Sequence, residues 1–342
     1  MIYGKVELFN VEEAVEVPGR AGVLLQRVPE AVRTQLKEGA QGVARRAAGV
    51  EIRFVNEGRE PAVIELAAYQ SPSRILVYAG GHQVKEYAVG PEPLGIEIAY
   101  PFPGFLPDAQ PVSVKPAYSP RVWRLVAEGG EVHLLSAKGE ELRPPQAGET
   151  PEKKYLAYGT SITQGVQATS PDLSYIRQAG GRLGLDVLNL GLAGAAHCEQ
   201  AIADHIAGRG DWDIATLCVS INMLNQGVPV SEFRDKAAYL ACTAAARNPD
   251  KPVICIGLFP SFADLGLVWP ERSPQATADE YRRALREIVE QSGLPNLHYI
   301  DGRELLTSWD GLSHDLLHPG NSGMIEIGER LAAFMRPLVH SR

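Results

Sequence analysis

The sequence predicts an α/β domain carrying a parallel five-stranded sheet between two helical layers, preceded by an all-β sandwich. Two changes of pattern along the chain predict it. Up to about residue 142, short runs alternate apolar and polar residues at period two and are punctuated by Gly and Pro. Beyond about residue 153, continuous apolar runs alternate with long amphipathic stretches, the signature of strands buried on both faces by helices.

In the first region, Val50–Phe54 and Leu94–Ile98 place their apolar residues on one face, and Ala62–Leu66 and Arg74–Tyr78 are further strands. Val122–Val126 and Val132–Leu135 flank Glu128-Gly129-Gly130-Glu131, which predicts a hairpin. A single helix is expected, around Ala31 to Lys37. Leu142 to Pro151 is polar, Pro-rich and without periodicity, so the expected division is a sandwich over 1–142, a linker over 143–152 and a second domain over 153–342. In that domain, strands are expected at Lys154–Tyr158, Asp186–Leu190, Ile214–Val219, Val253–Gly257 and Leu297–Ile300. Helices are expected over Ser231–Arg247, Thr277–Gln291 and Asn321–Phe334.

Composition narrows the function. Hydrophobic residues make up 45% and charged residues 22%, ordinary for a water-soluble globular protein. A formal net charge of −8 argues against nucleic acid or an anionic membrane as partner. No run is long and apolar enough to span a bilayer, and the N-terminus lacks a basic region followed by an apolar core. Cys198, Cys218, Cys242 and Cys255 show no metal-type spacing, and Cys218 and Cys255 lie in apolar runs. A reduced, cytoplasmic setting is expected. There is no phosphate-binding Gly-x-x-x-x-Gly-Lys-Ser/Thr, and the pair Gly191 and Gly194 is too short for a dinucleotide fingerprint. No metal or organic cofactor is expected.

Four short blocks carry chemistry. Ser161 follows the first expected strand in Tyr158-Gly159-Thr160-Ser161-Ile162, and a serine becomes a nucleophile when a base takes its proton. His318 lies in His314-Asp315-Leu316-Leu317-His318-Pro319-Gly320, with Asp315 near enough to orient its ring. Gly194 follows the second strand and Asn222 the third. A glycine N–H and an asparagine amide are the donor types that stabilise an oxyanion. Taken singly, each has a plainer reading: a helix cap, a surface hydrogen bond, a turn glycine, a turn asparagine. Their order, each just after a strand-like run, is what lifts the set.

In these blocks the chain resembles the SGNH (GDSL-type) hydrolases, named for a Ser, a Gly, an Asn and a His in four separated blocks. Here those positions are Ser161, Gly194, Asn222 and His318, with Asp315 as the aspartate three before the histidine. The first block reads Gly-Thr-Ser-Ile for Gly-Asp-Ser-Leu, and the third reads Ser-Ile-Asn-Met where many members have Gly-x-Asn-Asp; neither change removes a reacting group. The resemblance covers about half the chain. It implies an SGNH/flavodoxin-like sheet, a catalytic triad of Ser161, Asp315 and His318, and an oxyanion hole formed by the N–H groups of Ser161 and Gly194 with the Asn222 amide.

Of the other histidines, His314 adjoins Asp315, His197 lies near Gly194 and His340 is in the tail. Asp310 could in principle replace Asp315, but the Asp-x-x-His spacing favours Asp315; Asp211 and Asp213 read as charges before the third strand. Phe259 to Pro270 forms a long apolar loop, readable as a substrate wall or lid or as a packing face. Asn225, Phe262 and Trp269 are the candidate substrate contacts, with Gln226 beside Asn225 equally a contact or a loop residue. A jelly-roll-like sandwich before such a domain resembles two-domain bacterial carbohydrate esterases. The implied function is hydrolysis of a small acyl ester, acetyl foremost, on a sugar, with possible homo-oligomers. Acyl transfer at the same site, or sugar binding without catalysis, are the alternatives.

Overall fold

The computed structural model describes residues 1–99, 116–268 and 274–340. The chain forms two compact units, residues 1–31 with 44–152, and residues 32–43 with 153–342. The first contains strands β1 (Ile2–Tyr3), β2 (Val6–Phe9), β3 (Glu13–Glu16) and β4 (Val23–Gln26), followed by short helices α1 (Glu30–Arg33) and α2 (Glu38–Ala44) across the passage between units. It continues with β5 (Ala48–Asn56), β6 (Ala62–Tyr69), β7 (Ser73–Ala79), β8 (His82–Val89), β9 (Leu94–Ile98), β10 (Val122–Glu128), β11 (Glu131–Lys138) and β12 (Leu142–Arg143).

These strands build two antiparallel sheets. One runs β1-β2-β5-β10-β7-β8, with β12 also on β5; the other runs β3-β4-β11-β6-β9. Alternate residues such as Ile52, Phe54, Leu125 and Val77 meet Ile64, Leu66, Val132 and Leu134 in one core, as the period-two pattern requires. On β5 and β10, fully buried Glu51 accepts 2.8 Å bonds from Arg53 and, through both carboxylate oxygens, from Arg124. Charges this deep are tolerated only as partners.

Two expectations are corrected here. The strands flanking Gly129-Gly130 are not a hairpin, because β10 pairs with β5 and β7 while β11 pairs with β4 and β6. The turn's backbone groups bond Ala47 instead of each other, with Gly129 N to Ala47 O at 2.8 Å and Ala47 N to Gly130 O at 2.9 Å. Both glycines adopt positive φ, 78° and 62°, and they carry the chain from one sheet to the other. The helix expected at Ala31–Lys37 is likewise replaced by the separate turns α1 and α2. Gln41 donates its side-chain amide to the Leu36 and Thr34 carbonyls, at 2.8 and 3.3 Å, which closes the first turn.

In the second unit, β13 (Lys154–Gly159), β14 (Asp186–Gly191), β15 (Ile214–Cys218), β16 (Val253–Ile256) and β17 (Leu297–Ile300) form an all-parallel sheet ordered β14-β13-β15-β16-β17. Its helices are α3 (Ser161–Gln164), α4 (Tyr175–Leu183), α5 (Gln200–Gly208), α6 (Ser220–Asn225), α7 (Val230–Arg247), α8 (Ala278–Gln291), α9 (Gly302–Leu305) and α10 (Asn321–His340). α4 and α10 pack over Tyr155, Ala157 and Ile254. α5, α7 and α8 cover the opposite face, where Leu156, Tyr158 and Leu217 are buried. The direction of winding reverses at β13, so the carboxyl ends of β14, β13 and β15 border the crevice where such sheets bind ligands. Among the described residues no helix is long and apolar enough to cross a membrane.

The Glu51 cluster yields a stability prediction. Glu51→Ala strands two buried guanidinium groups and should cost about 3–5 kcal/mol, read from urea unfolding followed by circular dichroism. Wild-type stability in this variant would refute the role given to the carboxylate.

Candidate active site

Strand β13 ends at Gly159, and α3 starts two residues later with Ser161 as its first residue. Only glycine fits at 159, because a Cβ there would collide with the Thr163 hydroxyl and the Cys218 carbonyl. Gly191, paired with Gly159 across the strands, meets the same limit, since a Cβ would strike the backbone of Gln164. α3 is therefore seated directly on the strand ends. Thr163 anchors it through a 2.8 Å bond between its hydroxyl and that of Tyr175. Ser161 is left 8% exposed at the crevice.

His318 Nε2 is 2.8 Å from Ser161 Oγ, and His318 Nδ1 is 2.6 Å from Asp315 Oδ2. An ionised carboxylate can only accept, so Nδ1 carries the ring proton and Nε2 is the acceptor facing the serine. The other carboxylate oxygen, Oδ1, accepts 2.9 Å bonds from the Ser313 hydroxyl and from the Leu317 and His318 backbone N–H groups. Partial burial alone would raise the Asp315 carboxyl; the bonds from His318, Leu317 and Ser313 outweigh it and hold the group down to about 2. The loop closes on itself through Ser313 N to His318 O at 2.8 Å. Leu316 takes a positive φ of 52° within it, and its carbonyl accepts from Phe262 N at 2.7 Å.

Gly194 adopts φ 71° in the loop after β14, and no Cβ clash restricts it, so backbone conformation alone favours glycine there. Gln164 Oε1 accepts from Ala193 N at 3.0 Å and ties this loop to α3. Asn222 lies on α6, beyond β15, and its Oδ1 accepts from Ala196 N at 3.2 Å. That bond assigns the amide oxygen to the loop and leaves the NH₂ group as the available donor. Ser161, Gly194 and Asn222 thus follow three adjacent strands, and His318 reaches Ser161 from the segment before α10.

The remaining candidates separate cleanly. His314 is exposed, and Asp310 lies exposed in a 3₁₀ turn at Trp309–Gly311. Asp211 pairs with Arg209, and Asp213 accepts from the Lys154 backbone. His197 is buried and meets Lys37, a contact from a distant stretch of sequence that no local pattern signals. Asn225 and Phe262 border one apolar cleft with Leu224, Leu267 and Val268, with a volume of about 190 Å³. Trp269 lies outside the described residues, as does the end of the loop running to Pro270. Gln226, read as a substrate contact or a loop residue, bonds the Gly194 carbonyl instead, at 2.8 Å. Among the described residues no group of three or more His, Cys, Asp or Glu could hold a metal ion.

Residues 157–324 match the GDSL-like lipase/acylhydrolase family. No curated protein matches the chain. Among solved structures, a salicylyl-acyltransferase from a tetracycline biosynthetic pathway is similar at TM-score 0.77 and 17% identity, over 98% of this chain and 97% of that one. A family two carbohydrate esterase from Clostridium thermocellum in complex with cellohexaose is similar at TM-score 0.60 and 14% identity, over 84% and 92%. An acetyl xylan esterase from the rumen bacterium Butyrivibrio proteoclasticus is similar at TM-score 0.59 and 10% identity, over 98% and 96%. These likenesses show a shared fold.

The depressed Asp315 carboxyl gives a pH prediction with a definite sign. Its contribution to stability is complete above the ordinary value of 3.8 and disappears as pH falls through about 2. The stability gap between wild type and Asp315→Asn should therefore narrow as pH drops from about 4 toward 2, measured by denaturant midpoints. A gap that widens over that range would contradict the ionised, bonded carboxylate.

Proposed function

We propose that this chain, a carboxylic ester hydrolase whose residues 157–324 belong to the GDSL-like lipase/acylhydrolase family, is a serine esterase that removes a small acyl group from a saccharide. The observation that carries this reading is the hydrogen-bonded row Ser161–His318–Asp315. His318 Nε2 takes the Ser161 proton as Oγ bonds to the ester carbonyl carbon, and the carbonyl oxygen becomes an oxyanion. The N–H groups of Ser161 and Gly194 and the Asn222 NH₂ are the donors assigned to that oxyanion. Its collapse breaks the C–O bond, and the departing alkoxide takes the proton from His318. Water then attacks the acyl-serine, giving its proton to His318, which returns it to Ser161 as the carboxylic acid leaves.

A recess lined by Ile162, Ile221 and Leu317, each next in the chain to Ser161, Asn222 or His318, has a cavity volume of only about 10 Å³, room for about one water molecule. So little space at this point favours a short acyl group over a long one. The saccharide alcohol is supported by the fold shared with carbohydrate esterases. The larger cleft beside α6 is apolar at Phe262, Leu267 and Val268, which favours a second reading. In it, the acyl group passes to an apolar or aromatic hydroxyl compound instead of water, in keeping with the fold shared with a salicylyl-acyltransferase.

Turnover of acetylated oligosaccharides and of p-nitrophenyl acetate tests the site. Ser161→Ala and His318→Ala should each lower kcat by about a thousandfold or more, Asp315→Ala less, and the exposed His314→Ala should leave it unchanged. A covalent serine reagent labelling a peptide without Ser161 would overturn the nucleophile. Free acetate as the dominant product in the presence of millimolar phenolic acceptors favours the esterase; acetylated acceptor favours transfer.

A further inference from the structure

Phe262 reaches the loop of Asp315 and His318 from outside it. The bonds to Asp315 Oδ1 from Ser313, Leu317 and His318 close residues 313–318 on themselves. The Leu316–Leu317 peptide within this loop is held at both ends. Its N–H, on Leu317, donates to Asp315 Oδ1 at 2.9 Å, and its carbonyl, on Leu316, accepts from the Phe262 N–H at 2.7 Å. Leu316 has φ 52°, a left-handed conformation that leucine seldom adopts. A conformation of this kind persists only where its surroundings fix it. Here the Phe262 bond does so, and a peptide that turned away would take a donor from Asp315.

The Phe262 N–H is itself set by an ion pair. Phe262 opens a short 3₁₀ turn, Phe262–Leu265, in the segment between β16 and α8. Arg282, on α8, is buried, and all three nitrogens of its guanidinium bond this segment. Nε donates to the Leu258 carbonyl at 3.0 Å, and Nη2 to the Phe259 carbonyl at 3.2 Å. Nη1 and Nη2 donate to the two carboxylate oxygens of Asp264, at 2.5 and 2.9 Å. A two-pronged pair of this kind fixes direction as well as distance. Asp264 in turn holds the peptide planes around Ser261. Its Oδ2 accepts from the Ser261 N–H at 3.0 Å, and its own N–H donates to the Ser261 carbonyl at 2.9 Å. That carbonyl and the Phe262 N–H belong to the same peptide.

We propose that Arg282 and Asp264 are positioning residues for the reaction, acting on Asp315 through the Ser261–Phe262 and Leu316–Leu317 peptides. The inference rests on the assignment of Ser161, His318 and Asp315 given above. Each peptide passes the constraint on, because its carbonyl and its N–H lie in one rigid plane. A carboxylate that loses a donor swings, and it carries with it the ring bonded to its other oxygen. The imidazole then meets Ser161 out of line, which slows proton transfer and leaves substrate binding nearly untouched.

The decisive comparison is Phe262→Pro against Phe262→Ala in the full-length protein. Both remove the ring, and only proline also removes the N–H. Proline suits the first residue of a helical turn, and Ser261 before it is already extended, with φ −156° and ψ 172°. With p-nitrophenyl acetate, kcat of Phe262→Pro should lie about tenfold below that of Phe262→Ala, with KM equal within about twofold. In an Asp315→Ala background the two should have equal kcat, because the Leu317 N–H then has no carboxylate to position. Asp264→Asn, which keeps the shape and breaks the pairing with Arg282, should lower kcat about threefold at unchanged KM. Circular dichroism at the assay temperature shows which variants are folded, and Asp264→Asn carries the test where Phe262→Pro is not. Equal kcat in Phe262→Pro and Phe262→Ala, a difference confined to KM, or a gap that persists without Asp315 would each overturn the proposal. So would wild-type kcat in Asp264→Asn. Full hydrolysis by Ser161→Ala would instead overturn the catalytic assignment itself.

Discussion

The site depends on a steric constraint at the ends of β13 and β14, where only glycine fits. Gly159 faces Thr163 and the Cys218 carbonyl, and Gly191 faces the Gln164 backbone. Without side chains at both positions, α3 can begin immediately beyond the sheet. That close approach fixes Ser161 within 2.8 Å of His318, and it lets Gln164 reach across to the Gly194 loop. A side chain at either glycine would lift α3 off the strand ends and move Ser161 with it. Overpacking of this kind costs about 1–3 kcal/mol even where the structure yields.

Hydrogen-bond direction supplies the second level of order. Asp315 spends one oxygen on three donors of its own loop and the other on His318, so the carboxylate shapes the loop before it orients the ring. Half-buried His318 and buried His197 are set oppositely by their partners. Asp315 accepts from Nδ1 of His318 and leaves Nε2 as a base, whereas Lys37 donates to Nδ1 of His197 and leaves Nε2–H as a donor. One ring thereby presents an acceptor nitrogen and the other an N–H donor.

The N-terminal unit solves a different problem. Its two sheets enclose an apolar core, yet Glu51, Arg53 and Arg124 are buried on β5 and β10 and are stable there only as a set. Arg53 and Arg124 also lie 3.7 Å from the ring centres of Phe9 and Tyr118, respectively, which shields the guanidinium faces from water. Arg143, at the start of the stretch read as a polar linker, is joined to Glu57 and Glu149 and so ties that stretch to this unit.

The sequence by itself determined the parallel sheet and the sandwich, and it singled out the candidate site residues. Strand burial is written locally as period two or as continuous apolar runs, and β13 to β17 follow those runs closely. Ser161, Gly194, Asn222, Asp315 and His318 could be singled out as candidates because each block follows an element that local pattern reveals, and the fold brings Ser161, His318 and Asp315 into one hydrogen-bonded row. Tertiary structure decided what depends on partners distant in sequence. The Gly129-Gly130 turn reads as a hairpin until Ala47 takes its backbone bonds. The helix expected at Ala31–Lys37 yields to Gln41, which caps the first turn. His314 and His318 are both near Asp315 in sequence, and only the folded loop brings one of them to Ser161. Lys37 reaches His197 across 160 positions of sequence, a contact that no periodicity encodes. Local pattern fixes which face of an element is buried; which polar group meets which is set by the long-range packing of those faces.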